Sequence, residues 1–247
     1  MSKLPPFFTL ITVCLNSKNT LERTIISVRN QTFKDFEYII IDGGSSDGSL
    51  DIINLNRDVI DLVVSEKDKG IYDAMNKGIR LAKGEFIGII NSDDWYEVDA
   101  LDNIYLEAKR NPNAVIHGLC RFYNQNVLAY IIGYHHSSLP NNAICHPTCF
   151  VPRYLYDQFN FYDTKYKIAA DYDLFLRLFL ANISFVYVEK IIANFLLGGT
   201  SSSDLVRLEA INIRYKYNQI TFKRYMALIT YNSFYITIHY LNRLKKR

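Results

Sequence analysis

Three apolar-dominated runs in the first ninety residues each stop abruptly at a polar turn. Phe7 to Leu15 ends at Asn16, Phe36 to Ile41 ends at Asp42-Gly43-Gly44-Ser45-Ser46-Asp47-Gly48, and Phe86 to Ile90 ends at Asn91-Ser92-Asp93-Asp94. Runs of this length and character are strands buried on both faces. Between them lie stretches of helical periodicity. Asn19 to Asn30 sets Leu21, Ile25, Ile26 and Val28 on one face, and Gly70 to Ala82 turns Ile71, Met75, Ile79 and Leu81 inward. Ser49 to Leu55 and Asp99 to Arg110 are further helices, and Leu62 to Ser65 and Ala114 to His117 are shorter strands. This alternation predicts an α/β fold with a mostly parallel central sheet and helices on both faces. In such sheets ligands bind beyond the carboxyl ends of the strands. The acids at 42–47 and 93–94 collect at that edge, where a bound cation or ligand hydroxyls would account for them.

Residues 119–168 are less regular. Arg121 to Tyr134 reads as a hairpin turning at Asn124-Gln125-Asn126, and Thr148 to Val151 as a short strand. Asp171 to Asn182 is a strong helix with Leu174, Phe175, Leu178 and Phe179 on one face, and Ile183 to Phe195 is extended. Gly198 to Ser203 reads as a mobile loop, with Ser203 placed to cap a following helix.

The net charge of +3 hides an asymmetry. Residues 205–247 carry nine Lys/Arg and one acid, Glu209, a local charge of +8, while residues 1–204 stand at −5. A uniform nucleic-acid binder does not look like this, so no nucleic-acid partner is expected. An acidic body with a basic tail suggests a cation-holding site and a tail that seeks anions. Tyr225 to Asn242 has 18 residues without a formal charge and ends in Arg243, Lys245, Lys246 and Arg247. That approaches the length of a membrane span, about 20 residues. The interleaved Thr, Asn, Ser and His and the many Tyr fit a helix lying on an anionic membrane surface. Packing on the body and a homodimer contact are the other readings. Cys145-His146-Pro147-Thr148-Cys149 has no second ligand pair at zinc-site spacing, so the four cysteines read as reduced and structural. Met1-Ser2-Lys3-Leu4-Pro5-Pro6 leads straight into the first strand without a signal-peptide pattern, which sets the expected compartment as cytoplasm.

Four stretches together carry a resemblance: Leu10-Ile11-Thr12-Val13-Cys14-Leu15-Asn16; Gln31-Thr32-Phe33 followed by Ile40 to Gly48; Ser65-Glu66-Lys67-Asp68-Lys69-Gly70-Ile71-Tyr72-Asp73-Ala74-Met75-Asn76-Lys77-Gly78; and Gly84-Glu85-Phe86 leading to Asn91-Ser92-Asp93-Asp94-Trp95. Ala170-Asp171-Tyr172-Asp173-Leu174 and Gly198-Gly199-Thr200-Ser201 add to it. In order and spacing the chain resembles the family 2 inverting glycosyltransferases, which have the GT-A fold, and within them a group that builds bacterial surface polysaccharides. The resemblance covers about residues 7–204. It implies a glycosyltransferase domain over 1–204, with residues 1–118 as the nucleotide-sugar half and 119–204 as the acceptor half, followed by the helical tail 205–247.

The resemblance implies the site as well. Asp94 and Asp93 would hold Mn²⁺ or Mg²⁺, hard cations that take oxygen ligands, with Asp93 also facing the ribose. Thr12, Val13, Asp42, Asp68, Gly70 and Asp73 would form the nucleotide-sugar pocket; for Asp42 a capped turn, and for Asp73 a helix cap, are the alternatives. Asp171 would be the base that removes the acceptor hydroxyl proton, with Asp173 turned elsewhere on the helix. His146 and Trp95 would face the acceptor or pack in the core. The implied donor is a nucleotide-diphosphate sugar, and the implied acceptor a glycan on a lipid carrier at the inner face of the plasma membrane. A sugar-phosphate nucleotidyltransferase would want a glycine-rich loop after the first strand, which Leu15-Asn16-Ser17-Lys18-Asn19 lacks. A non-catalytic nucleotide-sugar-binding scaffold is the other alternative.

Overall fold

A computed structural model describes residues 5–199 and 204–232. The three abrupt runs are strands β1 (Phe8–Cys14), β2 (Phe36–Asp42) and β4 (Phe86–Asn91), and β3 is Leu62–Ser65. Helices α1 (Leu21–Arg29), α2 (Ser49–Leu55) and α3 (Ile71–Leu81) make the crossovers, and α4 (Ala100–Arg110) follows β4 after a two-residue strand, β5 (Trp95–Tyr96). Every side chain of β1 is buried, as the unbroken apolar run requires.

The strand order is β3-β2-β1-β4 across this half, all parallel. The chain leaves β1 toward β2 on one side, and β4 lies on the other, so a topological switch point falls between β1 and β4. Register brings the strand ends level: Cys14 pairs with Asp42, Asp42 with Ser65, and Val13 with Asn91. The acids after β2 and β4 therefore share one rim.

The second half is mixed. β8 (Phe150–Pro152) runs antiparallel beside β4, then come β6 (Val115–Asn124), β9 (Phe185–Leu196) and β5, with β7 (Val127–Ile132) on the far side of β6. The strand over 114–117 and the first arm of the hairpin expected at 121–134 are one ten-residue strand, β6. Gly118, in the gap between those two expected elements, is a point of close approach: a Cβ there would lie 2.8 Å from the Lys190 carbonyl and 3.0 Å from that of Val188. The short strand expected from Thr148 begins at Phe150, because Thr148 closes a 3-10 turn, His146–Thr148. Helix α5 (Arg153–Gln158) and strand β5 have no counterpart in the sequence reading. α6 (Ala170–Leu180) and α7 (Asp204–Lys216) complete the named helices, and a further helix covers 222–232.

Two helical faces are rotated from expectation. α3 packs through Tyr72, Met75 and Ile79, while Ile71 and Leu81 are 36% and 39% exposed. Gly78 decides this: a Cβ there would sit 2.6 Å from the Ile11 side chain, so α3 lies closely on β1 with its Gly78 side inward. On α1, Ile26 faces outward while Leu21, Ile25 and Val28 are buried. The tail also begins inside the body, since Ile213 of α7 is wholly buried in the core that holds Leu174 and Leu178 of α6. No helix among the described residues is long and apolar enough to cross a membrane. The uncharged segment 225–242 is described only to residue 232, and Ser203 and residues 233–247 lie outside the described residues.

His117 on β6 is wholly buried, with Nε2 3.3 Å from Nδ1 of His136 and Nδ1 without a partner. Burial, with smaller contributions from His136 and His135, pushes its pKa down to about 3. The unfolded chain protonates this histidine near pH 6.5 and the folded one does not. Its contribution is present above that value and is lost as pH falls toward 3, with a slope of about 1.4 kcal/mol per pH unit. Urea unfolding at pH 7, 6, 5 and 4 should give a shallower acid decline for His117→Phe than for the parent protein.

Candidate active site

The rim loops are laced together before any ligand is considered. Asn16 takes a positive φ of 50° where β1 ends. Its main-chain N–H donates to Ser45 Oγ at 2.7 Å, and its side-chain oxygen accepts from Ser46 N at 2.9 Å. Asp47 accepts from Lys18 N, and Ser17 Oγ lies 2.7 Å from Ser92 Oγ. The loops after β1, β2 and β4 thus form one surface.

Asp42 is wholly buried in that surface. Ser65 Oγ donates to Oδ2 at 2.6 Å, and Gly44 N and Ser45 N add longer bonds. Burial acts to raise this carboxyl, and the hydrogen bonds from Ser45, Ser65 and Gly44 outweigh it, leaving it below the usual carboxylate range. The geometry is that of the capped turn. Thr12 and Val13 are also inside: Thr12 accepts a hydrogen bond from Tyr38 Oη at 2.9 Å, and Val13 joins the core with Ile11. β1 continues past both, so Leu15, Asn16 and Ser17 occupy the rim instead.

At the next strand end, Asp94 is wholly buried and Asp93 is half-buried. Leu196 N donates to Asp94 Oδ1 at 3.0 Å, and Thr24 Oγ1 donates to the Asp94 carbonyl at 2.6 Å. Asp94 Oδ2 and Asn91 Oδ1 are buried with no protein partner. Burial raises the Asp94 carboxyl well above the usual range and the Asp93 charge adds to it; burial raises Asp93 too, with Arg23 opposing. Gly199 lies over this pair, since a Cβ there would be 3.1 Å from Asp93 Oδ2. The rest of the predicted loop, from Thr200 to Ser203, is outside the described residues. Trp95 is packed on both sides, under the Arg23 guanidinium at 3.6 Å and against Tyr123 at 5.0 Å.

Among the described residues no cluster of three or more His, Cys, Asp or Glu side chains forms a metal cage. Two adjacent carboxylates, with Asp94 Oδ2 unpartnered, still suit Mg²⁺ or Mn²⁺, which keep several ligands from water and substrate phosphates. A cation there would also offset the desolvation that now raises both groups.

Asp68, Gly70 and Asp73 surround the start of α3. Lys77 gathers their charge, with Nζ 2.5 Å from Asp68, 2.8 Å from Glu66 and 3.8 Å from Asp73. Hydrogen bonds to Asp68 and then Glu66 hold the Lys77 ammonium above its ordinary pKa. Asp68 reaches back toward the β2 loop, where a Cβ on Gly43 would lie 3.1 Å from its Oδ2. Asp73 also accepts from Lys69 N, which closes the turn into the helix. Lys77 was not among the candidate residues; its i,i+4 spacing from Asp73 is the signal that would have found it.

Asp171 stands half-buried in the first turn of α6. Tyr72 Oη lies 2.8 Å from its Oδ1 and 2.7 Å from the Ile168 carbonyl, so one hydroxyl proton is shared between two acceptors. The His146–Thr148 turn packs against β4, and His146 lies near Phe175 of α6. At Cys145, burial raises the thiol and Asp94 contributes to that rise; at the neighbouring His146, burial lowers the imidazole and Asp171 opposes it. His146 is 9% exposed and packs near Tyr162 and Phe175. Asp173, two residues on from Asp171, is wholly buried and accepts from Arg177 Nε at 2.8 Å, Tyr217 Oη at 3.0 Å and Lys216 Nζ at 3.1 Å. It ties α6 to α7.

A parallel α/β half with paired acids at its switch point, joined to a mixed half, is the architecture of a GT-A glycosyltransferase. The chain belongs to glycosyl transferase family 2, whose model matches residues 9–179. It is 30% identical over 214 residues to a PGL/p-HBAD biosynthesis glycosyltransferase of Mycobacterium bovis, covering 83% of this chain and 82% of the relative. It is 29% identical to a chondroitin synthase of Pasteurella multocida over 80% of this chain but only 21% of that enzyme. The fold matches S. aureus TarS 1-349 in complex with UDP-GlcNAc at a TM-score of 0.69 and 17% identity, covering 84% of this chain and 65% of that one. It also matches the mannosyltransferase PcManGT of Pyrobaculum calidifontis in complex with GDP-Man and Mn²⁺, at 0.69 and 16% identity, covering 92% and 70%.

Removing the Asp173 carboxylate strands two cations and a hydroxyl in a buried place. Asp173→Ala should cost about 3–5 kcal/mol, read as a lower urea midpoint, with a larger loss than an exposed pair such as Arg110–Glu107 would show.

Proposed function

We propose that this enzyme moves one sugar, with inversion, from a nucleotide-diphosphate sugar to a hydroxyl of a growing glycan in bacterial surface polysaccharide synthesis. The observation that carries this reading is the buried, unpartnered Oδ2 of Asp94 beside Asp93 at the end of β4; in this reading Asp171 faces that pair across the reacting carbon. The neighbours bound to UDP-GlcNAc and GDP-Man support a donor of this class, and the polysaccharide synthases among the relatives support the product class.

Inversion follows from a single displacement. The acceptor oxygen bonds to the anomeric carbon as the bond from that carbon to the diphosphate oxygen breaks, and the acceptor proton passes to Asp171. A base on the face opposite the leaving group is what this step requires. The Tyr72 hydroxyl orients the carboxylate through Oδ1, leaving Oδ2 to receive the proton. Asp94 and Asp93 are the residues that would hold a divalent cation, and such an ion, when bound, neutralises charge on the departing diphosphate. Asp68, Gly70 and Asp73 lie at the rim where the nucleotide would bind, and Asp42 shapes that rim from within. His146, beside Asp171, and Trp95, beside Asp94, line the acceptor side. The basic segment 205–247 would hold the enzyme at the anionic inner face of the plasma membrane, close to a lipid-linked acceptor.

A thermal-shift panel of UDP-, GDP- and TDP-sugars with Mn²⁺ should single out one nucleotide. Calorimetry of that nucleotide should show Mn²⁺-dependent binding that Asp94→Asn abolishes; equal binding with and without Mn²⁺ would remove the cation from the scheme.

Asp171→Asn should lower transfer by about 10²- to 10⁴-fold while sparing nucleotide binding. Near-normal turnover in that variant would show that Asp171 is not the base.

A further inference from the structure

Helix α6, which carries Asp171, begins without a cap of its own. The preceding residue is Ala169, whose side chain makes no capping hydrogen bond. The cap comes instead from α7. Glu209, 7% exposed, accepts from Lys167 N at 2.7 Å through Oε1, and from Ala169 N at 2.9 Å and Ile168 N at 3.0 Å through Oε2. Main-chain N–H groups at a helix start have no partner within the helix, and negative charge there is favoured by the helix dipole. Glu209 is the one acid of the basic tail and lies beyond the matched family segment.

The turn that Glu209 grips also bears the Ile168 carbonyl, 2.7 Å from Tyr72 Oη, and that hydroxyl is the one shared with Asp171. A continuous chain of contacts therefore runs from Glu209 through the 167–169 backbone and Tyr72 to Asp171. Arg214 of α7 donates to Tyr172 Oη at 3.2 Å, and Lys216 and Tyr217 bond Asp173, so the same helix turn is braced at two consecutive residues.

We propose that Glu209 is a positioning residue for Asp171. It fixes the 167–169 turn, the turn fixes the Tyr72 hydroxyl, and the hydroxyl sets which way the Asp171 carboxylate faces. Glutamine at 209 keeps the size but offers one acceptor oxygen to three donors, and its own N–H₂ faces them. This inference rests on Asp171 being the base, so Asp171→Asn is assayed alongside.

The test follows release of nucleoside diphosphate from the sugar nucleotide that shifts melting most in the Mn²⁺ panel. Glu209→Gln should lower kcat about 10- to 100-fold, the scale of a small misplacement at a reacting centre. Donor KM and calorimetric affinity should stay within about twofold of the parent. Tyr72→Phe should also lower kcat, and the double variant should be no worse than the poorer single one, because both act through one path. Glu209→Asp should recover part of the loss. An unchanged kcat in Glu209→Gln, or losses that multiply with Tyr72→Phe, would overturn the proposal. Should Glu209→Gln lack a cooperative melting transition, Glu209→Asp enters the same cycle with the same two outcomes. High activity in Asp171→Asn would instead overturn the base assignment and this inference with it. An inactive Asp171→Asn beside a fully active Glu209→Gln would overturn this inference alone.

Discussion

A buried carboxylate with one satisfied oxygen is the point on which the architecture turns. Asp94 lies at the end of β4 in the parallel half, and the N–H that steadies it comes from Leu196 at the end of β9 in the mixed half. Burying a carboxylate costs several kcal/mol unless it is paired or bonded. The fold accepts that cost at the seam between its halves. Thr24 and Arg23 of α1 hold the main chain on either side, through the carbonyls of Asp94 and Asp93. The acidic pair is consequently rigid and close to protein on most sides. The unpartnered Asp94 Oδ2 is suited to a ligand that brings positive charge.

The acids that look equivalent in the chain divide into two kinds. Asp42 and Asp173 are enclosed by donors and shape the structure: Asp42 by folding its loop, Asp173 by joining α6 to α7. Asp93 and Asp171 stay half-exposed. The ion-pair cluster around Lys77 stands between these cases, holding Asp68 near the rim while offsetting its charge. α7 belongs to this scheme as much as the strands do. It enters from the basic segment, and through Glu209, Arg214 and Lys216 it grips the helix that carries Asp171.

Much of the fold was legible because a doubly buried strand leaves an unmistakable apolar run, and its end shows where polar residues begin. β1, β2 and β4 and the helices between them follow from this. The continuity of β6 through Gly118 was not legible, since a glycine in isolation signals a break and only the approach of β9 explains it as clearance. The inward face of α3 was misjudged for a similar reason: Gly78 contributes no hydrophobicity to a periodicity argument, yet it sets how closely the helix lies on Ile11. The resemblance implied Thr12 and Val13 for the nucleotide-sugar pocket, and their side chains are enclosed, as are all those of β1 through Cys14. At the candidate site, motif order was enough to propose Asp93, Asp94 and Asp171. Lys77, Tyr72 and Glu209 could not be ranked, because each acts on a residue that is named elsewhere.

The amino-acid sequence by itself determined the strand ends, and with them the rim on which acids gather, because hydrophobic period and turn chemistry are local properties. It also determined membership of a glycosyltransferase family, through motifs whose order survives without coordinates. Only the tertiary structure decided which acids are free to act. Whether a carboxylate is spent on main-chain N–H groups or left facing a crevice depends on donors that arrive from distant segments, Ser65 for Asp42 and Tyr217 for Asp173. For the same reason the start of α6 looks uncapped in sequence and is capped in space, since Glu209 reaches it from a helix some forty residues further along.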